Sequence, residues 1–345
     1  MNVTKLVISV DHCNVFSIEL VFNIFQRKVF ADNKLDVFIL TLDVNGVKET
    51  AEHIKNCCFT NLNELIVTGD CHDAFLKADC LLLMTNLNLP DRKVLENVQN
   101  LEHVFKKAKS FDLLANPDAR VVVMGPWSNT WLQIFAEVAT RLRKCNFTGL
   151  SRHHCEVHEL SDVYVWGKHF VDITEAKKKT KFEPRKYDSQ CTVKTQNVVN
   201  LLTPNWIDNY FTPQFEAIKT ATTYRHCVIS AVCHHIIDWY RGTGDRTVCM
   251  TISVHQPGHI NDGVFSSYPV VIGQSGQMSV RNIETDALHF IKLYRYLEIQ
   301  QRERCLIRNY IKSMSESEVS SLGSSSLSCG SRGFNLRLTD LLPIL

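Results

Sequence analysis

The chain has 345 residues, enough for two domains and a full hydrophobic core. Apolar content of 45% and charged content of 21% are ordinary for a globular protein, and a formal net charge of +2 gives no electrostatic case for nucleic acid or an anionic membrane. Thirteen cysteines with no C-x-x-C pair, several inside apolar runs such as those around Cys80 and Cys233, point to free thiols in a reducing, cytoplasmic setting. The first residues, M-N-V-T-K-L-V-I-S-V, lack the basic and long apolar regions of a signal peptide, and no run approaches membrane-spanning length. The sequon at 146–148 is therefore expected to stay unmodified. Residues 5–10 read as a buried strand. Val15, Ile18, Val21, Phe22 and Phe25 have helical spacing over 15–27. Strand 36–42 ends at Asp43, and a helix is predicted over 47–56. Strands follow at 64–68, 79–84, 120–124 and 147–150, with helices over 92–110 and 129–143 between the later ones. Strand–helix alternation with continuous apolar strands predicts a doubly wound parallel sheet, a nucleotide-binding type of domain, over residues 1–150.

The run V-Y-V-W-G-K-H at 163–169 then reads as a buried strand over 162–166 that delivers His169 just past its end. Open α/β sheets place chemistry there, and an imidazole is suited to proton transfer near neutral pH. After it the pattern changes. Residues 175–187 form a Lys-rich solvated loop, and a helix spans 204–241 with a break near Pro213. Strands 248–254 and 265–272 form an antiparallel hairpin or sheet, and a charged helix covers 284–312. This makes 151–312 an α+β domain. Residues 313–345 are a Ser-rich disordered tail whose last dozen residues turn apolar again. The cluster H-H-C-E-V-H at 153–158 holds ligand-type side chains, but no second pair sits at metal-binding spacing, so no metal is expected. Cys227 and Cys233 read as small core residues of the long helix, and Trp127, Trp131 and Trp166 as core packing.

Four segments in order carry a resemblance. G-P-W-S-N-T at 125–130 is similar to N-P-A-N-T, F-T-G-L-S-R at 147–152 to F-S-C-L-T-R, V-Y-V-W-G-K-H to I-I-W-G-N-H, and S-S-Y-P-V at 266–270 to Y-S-F-P-V. The chain resembles the lactate/malate dehydrogenase family over residues 5–312, closest to cytosolic-type malate dehydrogenases and their diverged malate dehydrogenase-like relatives. The resemblance implies a Rossmann-type domain followed by an α+β substrate domain, NAD as cofactor, a small dicarboxylic acid as substrate, and a homodimer. It implies His169 as the acid/base and Asn129 and Arg92 as substrate contacts. Asp43, as ribose acid, and Gly125, Asp11 and Asn14 fall at cofactor positions. Asp43 is equally well read as a polar strand terminus.

The departures shape the functional expectation. The family's glycine-rich turn is replaced by D-H-C-N-V-F-S at 11–17. Asp11 and Asn14 stand at its first two glycines and Ser17 at the third, where close backbone approach to a diphosphate is needed. The substrate loop reads T-N-L-N-L-P-D-R-K, and only Arg92 remains of its arginines. Roughly three turns of the helix bearing the family's D-H-N-R-A are missing after Leu150. The aspartate that would orient His169 goes with them, and neither Glu156 nor Asp162 has its spacing. These losses predict a catalytically degenerate pseudoenzyme. The alternative is an active NAD-dependent 2-hydroxy-acid oxidoreductase using His169.

Overall fold

The structure is a computed structural model. It describes residues 3–10, 14–85, 98–125, 128–151, 164–166, 170–172, 224–255, 259–281 and 287–323. The first half alternates β1 (Val3–Ser9), α1 (Asn14–Gln26), β2 (Lys34–Leu40), α2 (Val44–Asn56), β3 (Leu62–Thr68), α3 (Cys71–Phe75), β4 (Cys80–Met84), α4 (Val98–Leu114), β5 (Arg120–Met124), α5 (Ser128–Val138) and β6 (Phe147–Gly149). These six strands lie parallel in the spatial order β3-β2-β1-β4-β5-β6, in register from Val3–Lys34 at one side to Val123–Gly149 at the other. That is the order of a dinucleotide-binding sheet. The expectation of one mainly parallel sheet over the first 150 residues holds.

The strands are apolar throughout because both faces are covered. Leu6, Ile8, Val37, Ile39, Leu82 and Val122 face α1 and α2, whereas Val7, Leu40, Leu81, Leu83, Val121 and Val123 face α3, α4 and α5. Period-two alternation thus feeds two separate cores. Burying each such side chain contributes about 1.5–3 kcal/mol. Helix α1 turns Phe16, Leu20, Val21, Ile24 and Phe25 inward and leaves Val15 and Phe22 exposed, so the stripe expected from spacing is rotated.

The second half adds β7 (Tyr164–Trp166), β8 (Phe170–Asp172), α6 (Tyr224–Arg241), β9 (Val248–Ser253), β10 (Phe265–Ile272), β11 (Met278–Val280) and α7 (Ala287–Gly323). The antiparallel hairpin expected at 248–272 is present, with β11 beside it, and it joins the main sheet: Gly149 of β6 pairs with Thr251 of β9. A Cβ at Gly149 would lie 3.0 Å from Thr251 Cβ, so glycine permits the approach. The sheet therefore has nine strands and crosses the boundary drawn at residue 150. Helix α6 covers the α1 face through Val228, Ile229, Val232, Cys233, Ile236 and Trp239, and Ile307 of α7 reaches the other core. Burial pushes the Cys80 and Cys233 thiols up to about 12, as core cysteines require. Trp131 is buried in the core, whereas Trp127 lies outside the described residues.

Two expectations change. Tyr164–Trp166 does not extend the parallel sheet; it pairs antiparallel with Phe170–Asp172 in a separate two-stranded sheet. Only residues 167–169 link the two strands, too few for a parallel crossover. Helix α7 continues to Gly323, into the segment expected to lack structure; residues 324–345 lie outside the described residues. Of the helix predicted over 204–241, the part before Tyr224 also lies outside them.

Candidate ligand crevice at the sheet switch point

Strand order reverses between β1 and β4, and ligands of open α/β sheets bind outside the carboxyl ends of strands at such a point. Here those ends present Ser9 from β1, Thr41 to Asp43 after β2, Thr85 after β4, Gly125 after β5 and Ser151 after β6.

Asp43 is exposed and caps α2, its Oδ1 accepting the Gly46 N–H at 3.0 Å. Its own N–H donates to Thr41 Oγ1 at 3.2 Å, which fixes the turn. A Cβ at Gly46 would come within 2.4 Å of the Asp43 carboxylate, which would have to shift to admit it. The sequence reads Asp43 equally as a ribose contact and as a polar strand terminus; in the structure its carboxylate caps α2. Asp43→Ala is expected to destabilise the protein by about 1 kcal/mol, and Asp43→Asn by much less. Urea unfolding of the two variants checks this; equal midpoints would show that the cap contributes nothing.

Gly125 ends β5 with φ +104°, packed against Thr85. Four residues on, Asn129 is 7% exposed on the first turn of α5. Its Nδ2 donates to the Tyr296 hydroxyl at 2.8 Å, and its Oδ1 accepts from Thr251 Oγ1 at 3.1 Å. Burial holds the Tyr296 hydroxyl well above the usual phenol range, so it stays neutral. One amide hydrogen of Asn129 serves Tyr296, and the second is engaged by no bond among the described residues. The neighbouring Thr130 hydroxyl donates to Glu303 Oε2 at 3.0 Å, which also accepts from Gln300 Nε2 at 2.8 Å. The start of α5 is thereby tied to β9 and α7.

Ser151 is buried, and its hydroxyl has no hydrogen-bond partner among the described residues. On the other side of the crevice, Lys107 of α4 reaches Ser9 Oγ at 3.2 Å. Sequence reasoning missed Thr251, Tyr296, Ser151 and Lys107. The first two lie more than a hundred positions from Asn129, and Lys107 sits in a K-K-A-K run that reads as a solvated face.

Asp11, Arg92 and His169 lie outside the described residues, as do Glu156, Asp162 and the 153–158 cluster. Asn14 is described only as the first residue of α1. The structure thus places Asp43 after β2 and Gly125 and Asn129 after β5, on the same carboxyl edge of the sheet with β1 and β4 between them. Among the described residues no three His, Cys, Asp or Glu side chains are grouped to hold a metal, no disulfide forms, and no helix is long and apolar enough to cross a membrane.

No family model matches the chain. A malate dehydrogenase of Rubrobacter xylanophilus is 24% identical over 279 residues, 72% of this chain and 80% of that protein. The solved malate dehydrogenase of Naegleria fowleri superposes with a TM-score of 0.72 at 19% identity, over 90% of this chain and 99% of the other. Lactate dehydrogenase of Trichomonas vaginalis in complex with NADH and oxamate also gives 0.72, at 20% identity and the same coverage. This chain has the lactate/malate dehydrogenase fold. Its sequence resembles that family, malate dehydrogenases in particular. On this dehydrogenase fold, G-P-W-S-N-T spans the β5–α5 junction, F-T-G-L-S-R begins with β6, and S-S-Y-P-V lies within β10.

Proposed function

We propose that this chain is a malate dehydrogenase-like pseudoenzyme. It keeps the ligand crevice of the NAD-dependent dehydrogenases and has lost the machinery for malate/oxaloacetate interconversion. The observation that carries the reading is the short segment between β6, ending at Gly149, and β7, starting at Tyr164. Its sequence has no counterpart of the family's D-H-N-R-A, so no residue matches the aspartate that would orient His169 and support its pKa. Asp11, Asn14 and the single Arg92 add to the loss. Each missing element is expected to cost several kcal/mol of cofactor or transition-state binding.

The crevice fits a dinucleotide in part. By the resemblance Asp43 is the ribose acid and Asn129 the contact to substrate or nicotinamide. Bound NAD would supply the hydride acceptor of the family reaction. The sequence after β1 has Asp11 and Asn14 in place of the family's glycines, so NAD binding is expected to be weaker than in the active relatives. A small dicarboxylic acid is the substrate class if any turnover survives. The protein is expected to be cytoplasmic, in keeping with its free thiols, and to bind neither nucleic acid nor membrane.

The test is oxaloacetate-dependent NADH consumption by purified protein, with His169→Ala in parallel. No turnover is expected from either. Clear turnover that disappears in the variant would restore the reading as an active 2-hydroxy-acid oxidoreductase. We also propose a homodimer, on the resemblance alone, since closed two-fold pairs are the commonest soluble oligomers. Light scattering is expected to give twice the chain mass; a monomer at micromolar concentration would remove that part of the proposal.

A further inference from the structure

Helix α7 is apolar on two sides. One side packs on the body through Leu293, Tyr296, Leu297 and Ile307, with Gln300 and Arg304 buried among them. The opposite side carries Phe290, Ile291, Tyr294, Ile299 and Leu306, which are 57%, 49%, 45%, 54% and 43% exposed. They are five of the twelve large apolar side chains that stand exposed among the described residues, and the other seven are spread over the rest of the fold. Single exposed apolar residues are ordinary, whereas a contiguous row of them marks an interaction site. Helical spacing sets Ile291, Arg295, Ile299, Arg302 and Leu306 in one row about 22 Å long, with Tyr294 beside it. Arg295 and Arg302 are exposed, and neither enters an ion pair among the described residues. Of the two acids over 290–314, Glu303 is held by Thr130 and Gln300, and Glu298 alone lies beside the row.

We propose that this row is the docking site for an acidic amphipathic helix of another protein. A partner helix with apolar residues at i, i+3 or i+4 and i+7 meets Ile291, Ile299 and Leu306 ridge to groove. Asp or Glu between its apolar residues then faces Arg295 and Arg302, whose guanidinium groups bind carboxylates in two-pronged fashion. The charges decide against two other occupants. A second copy of the row, related by a two-fold axis or laid parallel, sets arginine against arginine, and like charges across a contact are costly. A helix that lies in a membrane surface turns its charges away from the lipid. Here the two arginines stand within the row, between the apolar side chains. Docking on α7 needs neither turnover nor an occupied crevice, so it goes beyond the proposed function and does not rest on it.

Calorimetry of the full chain with two synthetic helical peptides of about five turns tests it. Both carry leucine at i, i+3 or i+4 and i+7; one has glutamate between the leucines and its twin has lysine. The glutamate peptide is expected to bind, more weakly as salt rises, and the lysine twin about tenfold more weakly or not at all. Ile291→Ser with Ile299→Ser is expected to lower the affinity about tenfold or more. Arg295→Glu with Arg302→Glu is expected to reverse the preference between the twins. All four positions are exposed, so both double variants are expected to unfold in urea at the wild-type midpoint. Bound peptide is expected to shield Cys305, exposed on the same side of α7, from alkylation and to leave the exposed Cys57 and Cys58 reactive. Equal binding of the twins, or binding of neither at millimolar concentration, would overturn the proposal. So would retention on phosphatidylserine vesicles that the Ile291→Ser, Ile299→Ser variant loses, which would make the row a lipid contact. A doubled mass in light scattering that the same variant abolishes would make it a contact between copies and overturn the proposal too.

Discussion

Replacing Glu137 with alanine is expected to destabilise the protein by about 3–5 kcal/mol, the cost of removing one partner from a buried ion pair. Glu137 ends α5 with its side chain 10% exposed, and it faces Arg304 of α7, at 8%. Oε1 accepts from Arg304 Nε at 2.8 Å and from Gln133 Nε2 at 2.9 Å, and Oε2 accepts from Arg308 Nε at 2.9 Å. Arg304 also donates to the Asp262 carbonyl in the loop between β9 and β10. The cluster thus joins three elements beneath the crevice. Alanine leaves the Arg304 guanidinium buried without its carboxylate. Glutamine keeps the shape and an acceptor, and is expected to cost less. Replacing Glu137 and Arg304 together by apolar residues of similar volume is expected to recover most of the loss, because two desolvation costs vanish with the pair.

The pH dependence follows from the same geometry. Burial alone would push the Glu137 carboxyl up, but the hydrogen bonds from Arg308 and Arg304 outweigh it and hold the carboxyl below its ordinary value. A depressed folded-state pKa gives stability that is complete above the unfolded value of about 4.3 and fades as pH falls through the folded one. The gap between wild type and Glu137→Ala should therefore be widest at neutral pH and narrow below about pH 4. Urea unfolding at neutral and acid pH measures it. A loss under about 1 kcal/mol at pH 7 would mean the cluster is no better than an exposed pair.

How far these features can be read from sequence depends on how local their causes are. The six parallel strands are legible because a strand buried on both faces must be continuously apolar, as C-L-L-L-M of β4 and R-V-V-V-M of β5 are. The cap at Asp43 is not legible, because the spacing predicts a helix start at 47 whereas α2 starts at Val44. Nor is the union of β6 with β9, since it turns on a single pairing between Gly149 and Thr251. Charged helices mislead in the same way. Arg304 and Gln300 look like solvated positions of a charged helix, and Lys107 like one of three lysines on a wet face, yet all three are buried. Glu137 and Ser9, the partners of Arg304 and Lys107, come from other elements, and Glu303 beside Gln300 on α7 is itself engaged by Thr130 of α5, so periodicity carries no information about this burial. Tyr164–Trp166 shows the converse error. Its composition correctly marks a strand, but the three-residue link to Phe170 decides which sheet it joins.

Gly125→Ala is expected to cost about 2–5 kcal/mol, the sum of backbone strain and steric overlap. Gly125 has φ +104°, which L side chains rarely adopt. A Cβ there would lie 2.5 Å from Thr85 Oγ1 and 2.9 Å from the Thr85 carbonyl oxygen. Thr85 cannot simply withdraw: its N–H bonds Met124 O at 2.8 Å and its hydroxyl donates to the same oxygen at 3.1 Å. The methyl group therefore separates the carboxyl ends of β4 and β5, where the crevice opens. The strain also passes to α5, which starts three residues later with Asn129 already tied to Thr251 and Tyr296. Thr85→Ala in the Gly125→Ala background removes the hydroxyl overlap but not the carbonyl one, so it is expected to recover part of the loss. Thermal unfolding of the two single variants and the double variant forms the cycle that separates these causes. Gly125→Ala melting within a degree or two of wild type would mean that the strands part here without cost, and that the crevice wall is softer than its hydrogen bonds imply.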